Sequence, residues 1–267
     1  MIPGLVSITF RTRLPEQIAA VCAASGLQAV EWGGDVHVPH GDIAAAERVA
    51  RLTHEHGLIV ASYGSYFRLG ARPGEGPEWA AVLDTAEALG APVIRVWAGT
   101  VGSERMDAEA RGRMADEARG IAASAGDRNL RVAFEYHGGV LTDAPEPAWE
   151  LFEAAGSDVL AINWQPQHHH VTAQGLEELR LFAPRLAHVH VFAWVGGWHD
   201  KRPLSVHADR WQLYLEAARR ASPLRLPDGA EVPRCALLEF LPQETDRDLK
   251  RDAGTLRGWL EGDSIDA

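Results

Sequence analysis

Short apolar runs and longer amphipathic stretches alternate along this chain from end to end. The apolar runs read as buried strands: GLVSITF (4–10), LQAVEWG (27–33), LIVASYG (58–64), PVIRVWA (92–98), LRVAFEY (130–136), DVLAINW (158–164), LAHVHVFAW (186–194) and RCALLEFL (234–241). Between them, helical patterns cover 15–26, 42–57, 78–90, 107–126, 146–156, 176–184, 210–221 and 245–262. Pro15 near the start of the first helix and Gly26, Gly57 and Gly90 at the ends of the first three supply the expected start and stop signals.

Eight β–α units in 267 residues give about 33 residues per unit, the size of one βαβ step. Strict alternation implies a parallel sheet, and eight such units fit a closed (β/α)8 TIM barrel. The expectation is therefore a single α/β domain over 1–267. A doubly wound open sheet would place a Gly-rich phosphate turn after its first strand, and TFRTRLPEQ is no such turn. Three stretches lack periodicity: 65–77, 195–209 and 222–233. The first two follow the third and seventh strands, so they belong to the C-terminal rim where barrels build pockets and lids. The third precedes the eighth strand and falls on the opposite, stabilising face.

Strand parity locates the candidate chemistry. One parity of a barrel strand faces the interior and the other faces the helices. Polar groups accumulate at the strands' C-terminal ends: Glu31 on the second, Arg95 on the fourth, Glu135 and His137 on the fifth, Asn163 and Gln165 on the sixth, His188 and His190 on the seventh, and Glu239 on the eighth. Taken singly, a strand-end histidine reads as a hydrogen-bonded structural residue, and a lone glutamate as part of a surface ion pair. Convergence changes the balance, because carboxylates, an amide and imidazoles at one end of one barrel are costly unless something organises them. A divalent cation such as Mn, Mg, Co or Zn does so directly.

Composition narrows the partners. The net charge is −11, without the basic footprint of a nucleic-acid binder. No apolar run approaches the length of a membrane span, and the first residues lack the pattern of a secretory signal. Cys22 and Cys235 sit inside apolar segments and read as buried reduced thiols, so a cytoplasmic location is expected.

VAFEYHGGVLTD, INWQPQHH, HVHVFAW followed by RPL, and LLEFLP, in this order and spacing, resemble the xylose-isomerase-like TIM-barrel superfamily. The resemblance is to its sugar-phosphate isomerase/epimerase branch, which includes ketose 3-epimerases and inosose dehydratases and is related to AP endonucleases. GLQAVEWGGDVHVP at the second strand is similar to the same branch. Members bind one divalent metal ion through Glu, Asp, His and Glu on strands five to eight. By position, the resemblance implies Glu135, Gln165, His190 and Glu239 as ligands, with Glu135 and Glu239 also exchanging protons with the substrate. By position it also makes His168 and Arg202 candidate substrate contacts, and it implies that the chain assembles as a homo-dimer or tetramer. Glu31, His37 and His188 are further candidate contacts at the mouth, His137 either touches a substrate hydroxyl or orients a ligand, and Arg95 either pairs with an inward carboxylate such as Glu31 or binds an anionic substrate group.

Two departures stand out. Gln165-Pro166-Gln167-His168 replaces the family's Asp-Pro-Gly-His, so one ligand is neutral, and FAW after His190 replaces the usual Lys-Asp. The expected function is a metal-dependent isomerase or epimerase of a small sugar, keto-sugar or polyol. The alternatives are a lyase on the same scaffold, either an inosose-type dehydratase or an eliminative deglycosylase, and a non-catalytic sugar-binding barrel. An AP endonuclease would want a basic groove. Among the tryptophans, Trp32 and Trp164 have helix-facing parity and read as core, whereas Trp97, Trp194 and Trp198 suit the barrel mouth.

Overall fold

Apolar side chains on both faces drive each predicted strand into a buried sheet. The strands are β1 (Ile2–Val6), β2 (Ala29–Gly33), β3 (Ile59–Arg68), β4 (Val93–Trp97), β5 (Arg131–Glu135), β6 (Leu160–Trp164), β7 (Leu186–Val191) and β10 (Cys235–Leu238). In the computed structural model, which describes residues 1–72, 74–167 and 170–262, they close into a parallel barrel in the order β1-β10-β7-β6-β5-β4-β3-β2. The helices alternate with them: α1 (Pro15–Ala24), α2 (Ile43–Glu55), α3 (Trp79–Leu89), α4 (Ala108–Asp127), α5 (Pro145–Ala155), α6 (Thr172–Phe182), α7 (Ala208–Arg219) and α8 (Asp246–Glu261). The expected TIM barrel is the observed fold. None of the described helices is long and apolar enough to cross a membrane.

The differences from the sequence reading are local. The first strand ends at Val6, and Ser7–Phe10 turns into a short 3-10 helix. The stretch 222–233 contains a small antiparallel hairpin, β8 (Leu224–Arg225) with β9 (Glu231–Val232). Leu224 and Val232 from this hairpin pack with Val93, Ala133, Ala161 and Ala187, an interior layer of small side chains. A second interior layer is formed by Val6, Ala29, Ala61, Cys235 and Leu237. The barrel is thus filled with apolar side chains below and left polar above. Both cysteines are buried and free.

Three register slips lie along the ring, one of them between Gly64 and Arg68 where β3 meets β4, and the other two re-aim the polar residues. Val30 pairs with Val60 but Glu31 pairs with Ser62, so β3 carries one extra residue at this point. Likewise Ile162 pairs with Leu186 but Trp164 with Val189, which inserts one residue into β7. A bulge of this kind re-aims the side chains that follow it. Above these bulges Ser62 and Gly64 on β3, and His188 and His190 on β7, turn inward.

The helix-facing layer accommodates the large aromatic residues. Trp32 and Trp164 are fully buried, as their parity predicted. Trp32 donates to Thr53, and Trp164 packs edge-on against Tyr214 and Trp211. Buried Glu178 of α6 accepts hydrogen bonds from Tyr136 Oη and Trp164 Nε1, both at 3.0 Å, and contacts His170 Nδ1 at 2.6 Å. These contacts fix β5, β6 and the chain around His170 to α6.

Candidate active site

Seven strands contribute to one buried polar cluster at the C-terminal mouth. Arg95 reaches in from β4 and is 2% exposed. Its Nε donates to Glu31 Oε1 at 2.7 Å, and its Nη1 donates to Glu135 Oε2. Glu31 is fully buried and also accepts from Ser62 Oγ at 2.5 Å and Asn163 Nδ2 at 3.4 Å. Gln165 Nε2 donates to the other oxygen of Glu135 at 3.1 Å. His190 lies between two carboxylates, with Nε2 3.5 Å from Glu31 and Nδ1 3.4 Å from Glu239.

The electrostatics follow from this geometry. Burial alone would raise the Glu31 carboxyl, but the Arg95 charge, then His190 and Ser62, outweigh it and hold Glu31 well below the usual carboxylate range. Burial alone would lower His190, but Glu31 and Glu239 outweigh it and bring its pKa up to about 10. Arg95 is desolvated as well, and Glu135 and Glu31 hold it firmly charged. Two carboxylates contact the guanidinium and the third stands against His190, so three negative charges face two positive ones and one formal negative charge is left over. An uncompensated buried charge is expensive, and the site therefore favours cations.

Gly64 is part of this construction. A Cβ at this position would lie 2.7 Å from Arg95 Nη2 and 3.1 Å from Glu31 Oε1. Only a glycine leaves room for the guanidinium against β3. Two aromatic residues beside the cluster, Tyr66 and Phe240, adopt left-handed backbone with φ of 56° and 58°. Bulky residues rarely do so, and such strain concentrates at functional sites. Phe240 directly follows Glu239, while the Tyr66 ring stands 5.3 Å from the Arg95 guanidinium carbon.

Not every candidate joins the cluster. Arg95 is there, but its bonds to two carboxylates make it a residue that positions them rather than an open substrate contact. His188 is fully buried below the mouth, where Nδ1 accepts from the Cys235 amide at 3.2 Å and Nε2 donates to the Ala61 carbonyl at 3.1 Å. Burial lowers its pKa to about 4, and it ties β7 to β10 and β3 as a neutral structural residue. His37 is similarly occupied, with Nδ1 2.9 Å from Ser7 Oγ and Nε2 3.3 Å from the Phe10 carbonyl. Arg202 is exposed and pairs with Asp200 at 2.7 Å, so it braces the 195–201 turn instead of facing the cluster. His168 lies outside the described residues.

His137 does sit at the mouth, its ring tilted against Trp97 with centroids 4.6 Å apart. It lines a cavity of about 470 Å³ together with Gln165, Gln167, Phe192, Trp194, Trp198 and Phe240. Phe192 and Trp194 are stacked at 4.3 Å, and Trp194 lies 5.1 Å from Phe240. Sequence reading overlooked Ser62, Gly64, Tyr66, Phe192 and Phe240. Their signal was a run of small or aromatic residues at the upper ends of β3, β7 and β10, which parity alone assigns to no site.

The donor set suits a divalent cation in chemistry and charge. Both ring nitrogens of His190 and Glu239 Oε2 are buried without a hydrogen bond of good geometry. With Glu135 and Gln165 they supply nitrogen and oxygen donors from four consecutive positions around the ring. As the side chains stand, no three His, Cys, Asp or Glu among the described residues are arranged around a metal position.

Residues 19–220 match the family model of the xylose isomerase-like TIM barrel. The chain belongs to that family. None of the curated proteins matches it in sequence. Solved structures similar to it include the probable 3-DHS dehydratase AsbF from Bacillus anthracis, at 20% identity and a TM-score of 0.71 over 96% of this chain and 99% of that one. A D-psicose 3-epimerase solved in the presence of D-fructose is similar at 14% identity, with a TM-score of 0.69 over 98% of this chain and all of that one. An IolI protein with a bound zinc atom aligns over 97% of both chains, at 13% identity and a TM-score of 0.71. At these identities the likeness is one of fold.

Proposed function

We propose that this family member is an isomerase or epimerase that moves a proton at a carbon beside the carbonyl of a carbohydrate. One observation carries the reading. Glu135 from β5 and Glu239 at the end of β10 enter the same mouth with β6 and β7 between them in the ring. A substrate carbon held between them can lose a proton to one carboxylate and regain one from the other. Arg95 and Gln165 hold both oxygens of Glu135, which orients its carboxylate. His190 Nδ1 stands 3.4 Å from Glu239 Oε2, in ion-pair reach of that carboxylate without a hydrogen bond to it.

Glu135, Gln165, His190 and Glu239 would hold a divalent metal ion. Such an ion, when bound, polarises the substrate carbonyl and stabilises the charge that develops on its oxygen. The zinc in the IolI structure supports an ion in this family's fold, and the buried, unpartnered donors of His190 and Glu239 support one in this chain.

A lyase is the second reading, favoured by the cavity beside Gln165 and Phe240, which gives a departing group somewhere to go. Both readings begin with proton abstraction, and one experiment separates them. Ketoses are incubated with metal-reconstituted protein in D2O and followed by proton NMR. An epimerase incorporates deuterium at the carbon beside the carbonyl and returns an epimer, while a lyase yields an unsaturated product with loss of water or another group. Removing an acid or base typically costs 10²–10⁴-fold in rate, so Glu239→Gln and Glu135→Gln should each lose about that much. Exchange at the wild-type rate in Glu239→Gln refutes the assignment.

A further inference from the structure

The cavity at the mouth has more apolar wall than a small free sugar can use. Phe192, Trp194 and Phe240 form a contiguous aromatic surface, with ring centroids 4.3 Å apart for the first pair and 5.1 Å for the second. Trp198 closes the outer side and is 56% exposed. It rides on a turn tied at its base by the Trp194–Lys201 bridge, with Gly196 at φ 81° and Gly197 at φ 137°. Among the described residues, the polar side chains of the lining other than the indoles are His137, Gln165 and Gln167. Gln165 reaches Glu135, and the buried Gln167 Nε2 has no hydrogen-bond partner among them.

This division of surface discriminates between occupants. A second sugar unit could lay one CH face on a single ring, but the hydroxyls around its rim would meet the other rings, and each hydroxyl desolvated without a partner weakens binding. A planar aromatic group has no such groups to lose, and it can pack edge or face against these rings. It would also cover the exposed Trp198, removing apolar surface from water. At about 470 Å³ the space lies within the range that binds compact organic ligands.

We propose that this cavity receives an aromatic group carried on the carbohydrate, so that the substrates are aryl-substituted sugars. The proposal rests on the function above for the reacting end, at Glu135 and Glu239, and on the cavity alone for the aromatic end. Gln167 Nε2 donates to an oxygen at the junction between the two parts.

The test is isothermal titration of metal-reconstituted protein with phenyl β-D-glucopyranoside and with methyl β-D-glucopyranoside. The phenyl compound should bind at least tenfold more tightly. That preference should shrink severalfold in Trp198→Ala, whose exposed side chain is not needed for folding, and in Phe192→Ala. Equal affinities, no binding of the phenyl compound, or a preference untouched by both variants overturns the proposal. Deuterium exchange into free ketoses separates the two claims. Exchange without aryl preference removes the aromatic subsite and leaves the proton chemistry, whereas aryl preference without exchange on any sugar does the reverse.

Discussion

Replacing Arg95 by methionine keeps most of the side chain's volume and removes its charge. Glu31, fully buried, then keeps only Ser62, Asn163 and His190, and Glu135 keeps Gln165. Removing one partner of a buried ion pair costs about 3–5 kcal/mol, because the other charge stays desolvated. The 2.5 Å bond from Ser62 and the adjacent imidazole soften the loss, which places the expected value near the lower end, at about 3 kcal/mol. In a chain of this size each kcal/mol moves Tm by roughly 2–4 °C, so a fall of about 6–12 °C is expected. Thermal unfolding of wild type, Arg95→Met, Glu31→Gln and the double variant completes a cycle. The double variant should be more stable than additivity predicts, by about 1–3 kcal/mol, since neutralising Glu31 removes the charge that Arg95 compensates. An Arg95→Met protein within 1 °C of wild type, or strict additivity in the cycle, would refute the idea that this guanidinium balances the buried carboxylates.

Further predictions concern the same framework. Gly64→Ala puts a Cβ 2.7 Å from Arg95 Nη2, and the guanidinium is pinned by two carboxylates, so overpacking of about 1–3 kcal/mol is expected; an unchanged Tm would mean that Arg95 gives way freely. Elemental mass spectrometry of untagged protein should find a stoichiometric divalent metal in wild type and much less in Gln165→Ala, and equal content in both would remove Gln165 from the ligand set. His37 gives a pH dependence: burial lowers its pKa below the ordinary 6.5, so the unfolded chain binds a proton near that pH which the folded chain does not hold. Stability should fall as pH drops through about 6.5 toward the lowered folded value, at no more than about 1.4 kcal/mol per pH unit from this residue. Denaturation of wild type and His37→Asn between pH 7 and 5 checks it, the variant expected to lose less; an equal loss in both points to other groups.

What the sequence by itself determined was the barrel and the ring of polar strand ends. Alternating buried strands and amphipathic helices admit few topologies, and a charged residue inside an apolar strand is visible in one dimension because it breaks the pattern. Glu31, Arg95, Glu135, Gln165, His190 and Glu239 were legible for that reason, and the structure brings them together. The extra residue on β3 was not legible, since a bulge leaves the hydrophobic pattern of LIVASYG intact while changing which side chains face inward beyond it. Only the tertiary pairing of Glu31 with Ser62 shows that Gly64 makes space for Arg95. The roles within the cluster were likewise settled by packing. Arg95 and His188 carry the same inward parity as true mouth residues, yet two carboxylates claim the first and two backbone groups claim the second. The aromatic cavity belongs wholly to the fold. Phe192, Trp194 and Phe240 come from just beyond the ends of β7 and β10, which pair side by side in the barrel, and proximity of that kind depends on distance through space, which a linear pattern of polar and apolar residues does not encode.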